Sequence, residues 1–491
     1  MKLARSTTLC LVLTLTFAST PAFSDVKPGA TCKKVGQKTV SKGKTYTCIK
    51  SGKKLIWNKG VITSAPQPKI SPSPLPIISP TLSPAPSPTP TPTPTPQPTI
   101  TQSPEPAPSP TQTKSEIPLT DLSKFQSMSS CRISSTVTGQ DRQHLGFPRS
   151  REAIQYLGEH KAITLFVYFD DLPADQKQID EWKNNQIPTF ERLTESMSYG
   201  KLKYKVETLD QFLHIKKSVL FYNLDTAHDD PMKPNADVRG LIRDAVAVAD
   251  PFVDFSKYQF VNVVTAPTTK IGFEGVFMQP GLFTADGVQI NNATFGPIRE
   301  YVDDPLKKIW LLHEVGHLWG LIHPFQTGGE KWGRPGYPKF SAMANGISRA
   351  PEFLAWEKFV LDWFSDEQVA CISKPTEQTY TVKISDLSLN TSEIKMLIIK
   401  LNNNESVVLE SRRAGRDSQL SKEDEGIFAY HVDVDVKTNI GAVKVIYKDN
   451  PPSSGWYPST LHKADKATFR NYTIEILDSD PSDETVKISI G

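Results

Sequence analysis

The sequence predicts a multidomain α+β protein: a small N-terminal minidomain held by a disulfide, a proline-rich linker, an α/β layer and a C-terminal antiparallel β-sandwich. Three observations predict it. At 491 residues the chain has room for two or three domains. Nineteen of its 40 prolines fall between Ser64 and Pro118, a density that blocks helix and sheet and favours a stiff polyproline II spacer. Beyond that spacer the apolar patterning changes once, from helices alternating with strands to short strands alone.

At the start, Lys2 and Arg5 precede an apolar run from Leu9 to Phe17 and the stretch Ala22-Phe23-Ser24. This is the pattern of a secretory signal peptide over residues 1–24, with the mature chain beginning at Asp25. The run is shorter than the ~20 residues that cross a bilayer, and no later segment reaches that length. The expectation is a secreted, extracellular protein with no membrane span. Four cysteines then remain, Cys32, Cys48, Cys131 and Cys371, an even set in an oxidising compartment. Three pairings are possible, and the simplest keeps each pair on its own side of the spacer.

Residues 25–63 read as the minidomain, with alternation through Lys44-Thr45-Tyr46-Thr47-Cys48-Ile49 and a terminal Leu55-Ile56-Trp57. A segment of under ~40 residues needs a staple, which a Cys32–Cys48 bridge supplies. Val26 to Thr63 holds ten lysines and no acid. Two readings stay open: binding to an anionic cell-wall polymer or lipid headgroup, with the protein associated with the wall, or simple solubilisation. The net charge of the whole chain is only +3, and residues 64–491 carry −8, which excludes a dedicated nucleic-acid binder.

Residues 64–118 form the linker, without a core. In residues 119–373, Ile163 to Phe169 is a strand-length apolar run, Lys203 to Val206 and Tyr258 to Val264 are further strands, and Pro188 to Met197 and Asp237 to Ala249 have helical spacing. In residues 374–491, short alternating runs recur at Tyr380–Ile384, Met396–Leu401, Ser406–Leu409, Ile427–Val434, Val443–Tyr447, Tyr472–Ile476 and Val486–Ile490. Turn-forming residues separate them, and the expectation is an antiparallel sandwich.

The chemistry concentrates in Asp304 to His323, DPLKKIWLLHEVGHLWGLIH. Asp304 suits an N-cap and Pro305 the first helical position, so a helix of about fifteen residues is expected. His313 and His317, at i and i+4, project from one face at the spacing that lets two imidazoles share a zinc ion. Glu314 lies about 100° round the helix, placed to take a proton from a water activated by the metal. Gly320 can adopt a left-handed conformation and turn the chain, returning His323 as a third ligand. His-Glu-x-x-His alone arises by chance in about one chain of this length in a hundred; adding Gly320 and His323 reduces that to roughly one in a hundred thousand.

The complete string resembles the zinc signature of the metzincins, which implies a methionine turn beneath the metal. Ser341-Ala342-Met343-Ala344-Asn345-Gly346 follows, and Met343 resembles the Met-turn residue, the alternative being an ordinary core methionine. Further stretches resemble the M6 metallopeptidases of the immune inhibitor A type: Pro351 to Lys358 ending in Asp362-Trp363, Leu409-Glu410-Ser411-Arg412, Gly426 to Asp433, and upstream Ser198 to Leu202 and Val253 to Tyr258. The resemblance spans roughly residues 130 to 490. It departs at the third ligand, where that family usually carries Asp within Leu-Pro-Asp and this chain has Leu321-Ile322-His323, so the chain reads as a divergent member or a relative.

The resemblance implies a metzincin-like catalytic domain over residues 119–373 and a secreted zinc endopeptidase acting on protein or peptide substrates. Three neutral imidazoles leave zinc its full double charge and lower the pKa of a water towards ~7. Glu314 takes the water proton and delivers it to the leaving amine. Tyr337, Tyr430 and His431 are candidates for the oxyanion donor. Asp170-Asp171 and Asp433-Val434-Asp435 are read as calcium sites or, preferred, as solvated turns. For Cys131 a bridge to Cys371 is favoured over a latency thiolate on the zinc, since no arginine-and-glycine pattern flanks it. A catalytically inactive peptidase-fold adhesin or cell-surface binding protein is the rival from another functional class.

Overall fold

Cys32 and Cys48 are joined by a disulfide, their Cα atoms 5.7 Å apart, and the strands around them bury Tyr46, Cys48 and Trp57. The computed structural model describes residues 30–41, 44–51, 54–58, 61–62, 117–137, 143–224, 236–268, 270–271, 276–278, 283–296, 309–326, 340–344, 352–414, 420–451 and 458–491. It divides into two compact units, residues 1–116 and 117–491. In the first, β1 (Lys38–Ser41), β2 (Lys44–Ser51), β3 (Lys54–Trp57) and β4 (Val61–Ile62) form antiparallel pairs around β2. The three side chains buried among the described residues cannot hold such a sheet alone. The bridge closes a sequence separation of 16, which contributes roughly 3 kcal/mol in the chain-entropy model. The expected signal segment, and all of the expected linker but residues 117 and 118, lie outside the described residues.

The second unit opens with β5 (Gly158–Phe169), α1 (Gln176–Glu181), α2 (Ile187–Met197), β6 (Leu202–Ile215), α3 (Val238–Ala249), β7 (Val261–Val264), β8 (Val276–Met278), the hairpin β9 (Phe283–Ala285) and β10 (Val288–Ile290), and β11 (Ala293–Gly296). Both expected helices are present. Pro188 sits in the first turn of α2, and the Asp237 carboxylate caps α3 by accepting from the Gly240 N–H at 2.7 Å. The central sheet runs β6-β5-β7-β11-β8, parallel except for the antiparallel edge strand β8. Along β5, Ile163, Leu165, Val167 and Phe169 pack with α3, while Ala162 and Phe166 join the core containing α2. Burial on both faces explains why the run is continuously apolar.

The chain continues through α4 (Trp310–Leu318), α5 (Ala355–Val360), β12 (Val369–Ile372), β13 (Thr379–Ser385), β14 (Met396–Lys400), β15 (Glu405–Arg412), β16 (Gly426–Asp433), β17 (Val443–Val445), β18 (Thr460–Leu461), β19 (Lys466–Phe469), β20 (Tyr472–Ser479) and β21 (Asp483–Ile490). Two sheets result: β12-β14-β15-β16-β17 with β18 on β16, and β13-β21-β20-β19. They share a core of Leu397, Ile399, Val407, Leu409, Ile427 and Ala429 with Val382, Ile474 and Val486.

This architecture departs from a plain antiparallel sandwich in two ways. First, β12 runs parallel to β14. Second, the outer face of the larger sheet is also buried: Ile398, Val408, Phe428, Tyr430 and Val432 pack in the same core as α2, α4 and α5. The segments on either side of residue 373 therefore share one sheet and one core. The Cys131–Cys371 disulfide lies in that region, both residues fully buried with Cα atoms 5.9 Å apart. Its sulfurs are bonded to each other, so Cys131 offers no thiolate to a metal. The entry segment is further tied by the Gln126 N–H donating to the Cys371 carbonyl at 2.9 Å.

Candidate metal centre

Helix α4 starts at Trp310, with Ile309 as its N-cap and no side-chain cap. The expected start at Asp304-Pro305 lies outside the described residues, and the described helix is nine residues long, not fifteen. Leu311, Leu312, Val315 and Leu318 anchor it in the core. At its end Gly320 has φ +84°; its N–H donates to the His317 carbonyl at 2.9 Å, and the Leu321 N–H donates to the Gly316 carbonyl at 3.0 Å. That bond pattern is a Schellman turn, which needs a left-handed residue at this position. It reverses the chain and returns His323 to the helix, with ring centroids 5.0 Å from His313 and 4.6 Å from His317.

The three Nε2 atoms converge: His323 Nε2 is 3.0 Å from His313 Nε2 and 3.1 Å from His317 Nε2. Each Nδ1 donates outward, His313 to the Ala342 carbonyl at 2.7 Å, His317 to the Leu321 carbonyl at 2.9 Å and His323 to Asn439 Oδ1 at 2.9 Å. Oxygens of this kind only accept, so the proton sits on Nδ1 and Nε2 presents a bare lone pair. Burial pushes His313 and His317 below the ordinary imidazole range and His323 down to about 3, so all three rings are neutral. Three lone pairs at this distance repel one another, and a cation at their focus turns that repulsion into three bonds. Zinc–nitrogen bonds of about 2.0–2.1 Å in a tetrahedron separate the nitrogens by roughly 3.3 Å, close to the spacing seen. The triad can hold a metal ion.

Glu314, only 7% exposed, follows His313 on α4. Met343 is fully buried beneath the helix, and a Cβ added at Gly316 would lie 2.3 Å from its Sδ. Gly316 is thus the gap through which the methionine reaches the backbone between His313 and His317. The turn is pinned from below. The Met343 N–H donates to Ser341 Oγ at 2.9 Å, and Ser341 Oγ donates to the Glu357 carboxyl at 2.8 Å. Glu357 also accepts from the Leu354 N–H at 2.7 Å, and burial pushes its pKa up to about 8. The Ala342 carbonyl that receives His313 is held in turn by the Ala342 N–H donating to the Glu352 carbonyl at 2.7 Å.

No protein-family model and no curated protein matches the chain.

Arg149 and His144, which the sequence did not single out, finish the helix. Buried Arg149 donates to the Trp319 carbonyl at 3.1 Å, setting a cation at the negative end of α4. The His144 N–H donates to the Gly320 carbonyl at 3.1 Å. Of the candidate oxyanion donors, Tyr337 lies outside the described residues. The Tyr430 hydroxyl donates to Glu410 at 2.8 Å and accepts from the Trp356 N–H at 3.1 Å, in the core. His431 pairs with Glu405 at 2.9 Å. Both polar groups are engaged by carboxylates, Glu410 and Glu405.

The calcium candidates are similarly engaged. Asp170 pairs with His214 at 2.8 Å, and Asp171 with Lys270 at 2.9 Å and the Val219 N–H at 2.8 Å. Asp435 receives the Thr136 N–H at 2.6 Å, and Asp433 receives the Asn404 amide at 3.2 Å. Among the described residues, the histidine triad is the group of three or more such side chains placed to hold a metal.

Proposed function

We propose that the chain is a secreted zinc endopeptidase, similar in kind to the M6 metallopeptidases. One observation carries the reading: three neutral imidazoles aim bare Nε2 atoms at a common point, with a buried glutamate next to the first of them and a buried methionine beneath the helix between them. A zinc ion held there supplies Lewis-acid activation of a water and of the peptide carbonyl. Glu314 accepts the proton of the attacking water and passes it to the departing amine, so the carboxylate is restored in each cycle. His313, His317 and His323 stay neutral throughout, their Nδ1–H groups donating to the Ala342 and Leu321 carbonyls and to Asn439 Oδ1, which fixes ring orientation.

Substrate access fits a polypeptide. Among the described residues β8 is the edge strand beside α4, and an antiparallel edge offers N–H and C=O groups to an extended chain. Secretion is supported by two disulfides. No helix among the described residues is long and apolar enough to cross a membrane. The minidomain completes the reading as a tether to an anionic wall polymer: Lys33, Lys34, Lys38, Lys50 and Lys54 are exposed, with no acid between Val26 and Thr63 to neutralise them.

Casein hydrolysis by the mature protein tests the catalytic reading. Activity should vanish on chelation, return with zinc, and be lost in Glu314→Gln at unchanged zinc content. Zinc-loaded protein inert on several unfolded substrates would favour the adhesin.

A further inference from the structure

The third imidazole is the one that α4 does not carry. Residues 321–326 form no helix or strand, so His323 needs a support that the helix cannot give. That support comes from the loop joining β16 to β17, more than a hundred residues later. The His323 ring donates from Nδ1 to Asn439 Oδ1 at 2.9 Å, and its backbone N–H donates to Thr438 Oγ1 at 3.1 Å. Its carbonyl accepts the Asn439 N–H at 3.2 Å, and the next carbonyl, of Pro324, accepts the Val443 N–H at 2.8 Å. Asn439 itself sits at φ +64°, a left-handed conformation that asparagine tolerates better than most residues.

We propose that Thr438 and Asn439 are positioning residues of the metal centre: the β16–β17 loop fixes the orientation and tautomer of His323, making the C-terminal sheet part of the metal site. The inference rests on the metal-centre reading and adds to it a partner for one ligand. His313 and His317 are oriented by carbonyls of the Met343 turn and the α4 turn, whereas His323 is oriented by a side chain of the β16–β17 loop. Removing that acceptor frees rotation of the ring and lets the proton move to Nε2, where it blocks ligation. Loss of such an outer partner typically weakens metal affinity by about 10- to 100-fold.

The test is competitive zinc titration of the full mature chain, with the visible spectrum of the cobalt-substituted protein as a second readout. Asn439→Gly keeps the left-handed backbone and deletes only the acceptor; Asn439→Asp keeps an acceptor on the same stem. The glycine variant should bind zinc about 10- to 100-fold more weakly and show an altered cobalt spectrum. The aspartate variant should restore both. Wild-type affinity and spectrum in Asn439→Gly would overturn the inference while leaving the metal centre standing. Wild-type protein that takes up neither zinc nor cobalt would overturn the metal-centre reading, and this inference with it. Should Asn439→Gly not fold, Thr438→Val, which removes the acceptor of the His323 amide, carries the same expected direction.

Discussion

Gly316 lies inside α4 between His313 and His317, and replacing it with alanine separates two opposed effects. In an ordinary helix interior the change stabilises by about 1 kcal/mol, because alanine loses less backbone entropy on folding. Here the new Cβ would sit 2.3 Å from Met343 Sδ, 3.2 Å from Met343 Cε and 3.6 Å from Phe353 Cζ. The first distance is far inside contact range, and Met343 is fully buried, so it has no solvent to swing into. Overpacking of this kind costs about 1–3 kcal/mol. The net expectation for Gly316→Ala is a loss of up to about 2 kcal/mol in urea denaturation of the metal-free protein, with weakened zinc affinity because the helix shifts between His313 and His317. Gly316→Ala combined with Met343→Ala should be more stable than the sum of the single changes, by about 1 kcal/mol or more, since each relieves the other. A Gly316→Ala protein more stable than wild type, with additive behaviour in the double variant, would refute the account of Met343 as the floor of the site.

Two further outcomes are expected. Burial lowers the His144 pKa to about 4 from an ordinary 6.5; below pH 6.5 the unfolded chain takes up a proton that the folded state refuses, so stability falls as pH drops from 6.5 to 4, by about 1–2 kcal/mol once solvent screening of the ring is allowed for. His144→Asn should flatten that part of the pH profile in urea denaturation, and an unchanged slope would contradict it. The mature chain should be retained on anionic wall polymer at low ionic strength and released by salt, as screening of exposed charge requires, whereas a chain beginning at residue 117 should flow through; equal retention of the two would remove the tether.

What was legible in the sequence was local. His313, His317, Gly320 and His323 were readable because helical spacing and a left-handed turn are properties of eleven consecutive residues. Pro188 and Asp237 marked α2 and α3 for the same reason. The two disulfides followed from even counting on each side of the spacer. Asn439 was not readable: its partner lies 116 positions earlier, and a single loop asparagine has no periodicity. The parallel β12 and the doubly buried larger sheet were missed although a signal existed. Met396-Leu397-Ile398-Ile399 and Val407-Val408-Leu409 are continuous apolar runs, the mark of a strand covered on both faces, and the sandwich reading treated them as alternating. Tyr430 and His431, singled out as polar groups near family-like sequence, turned out to serve Glu410 and Glu405, pairings that only tertiary packing decides.

The central claim is that the histidine triad and Glu314 together hydrolyse peptide bonds. The most direct measurement compares zinc content and casein cleavage in the wild-type mature protein and Glu314→Gln, prepared identically. The account predicts one zinc per chain in both proteins and cleavage in the wild type alone, abolished by chelator and restored by zinc. Cleavage by Glu314→Gln at the wild-type rate, or by metal-free wild type, would contradict it.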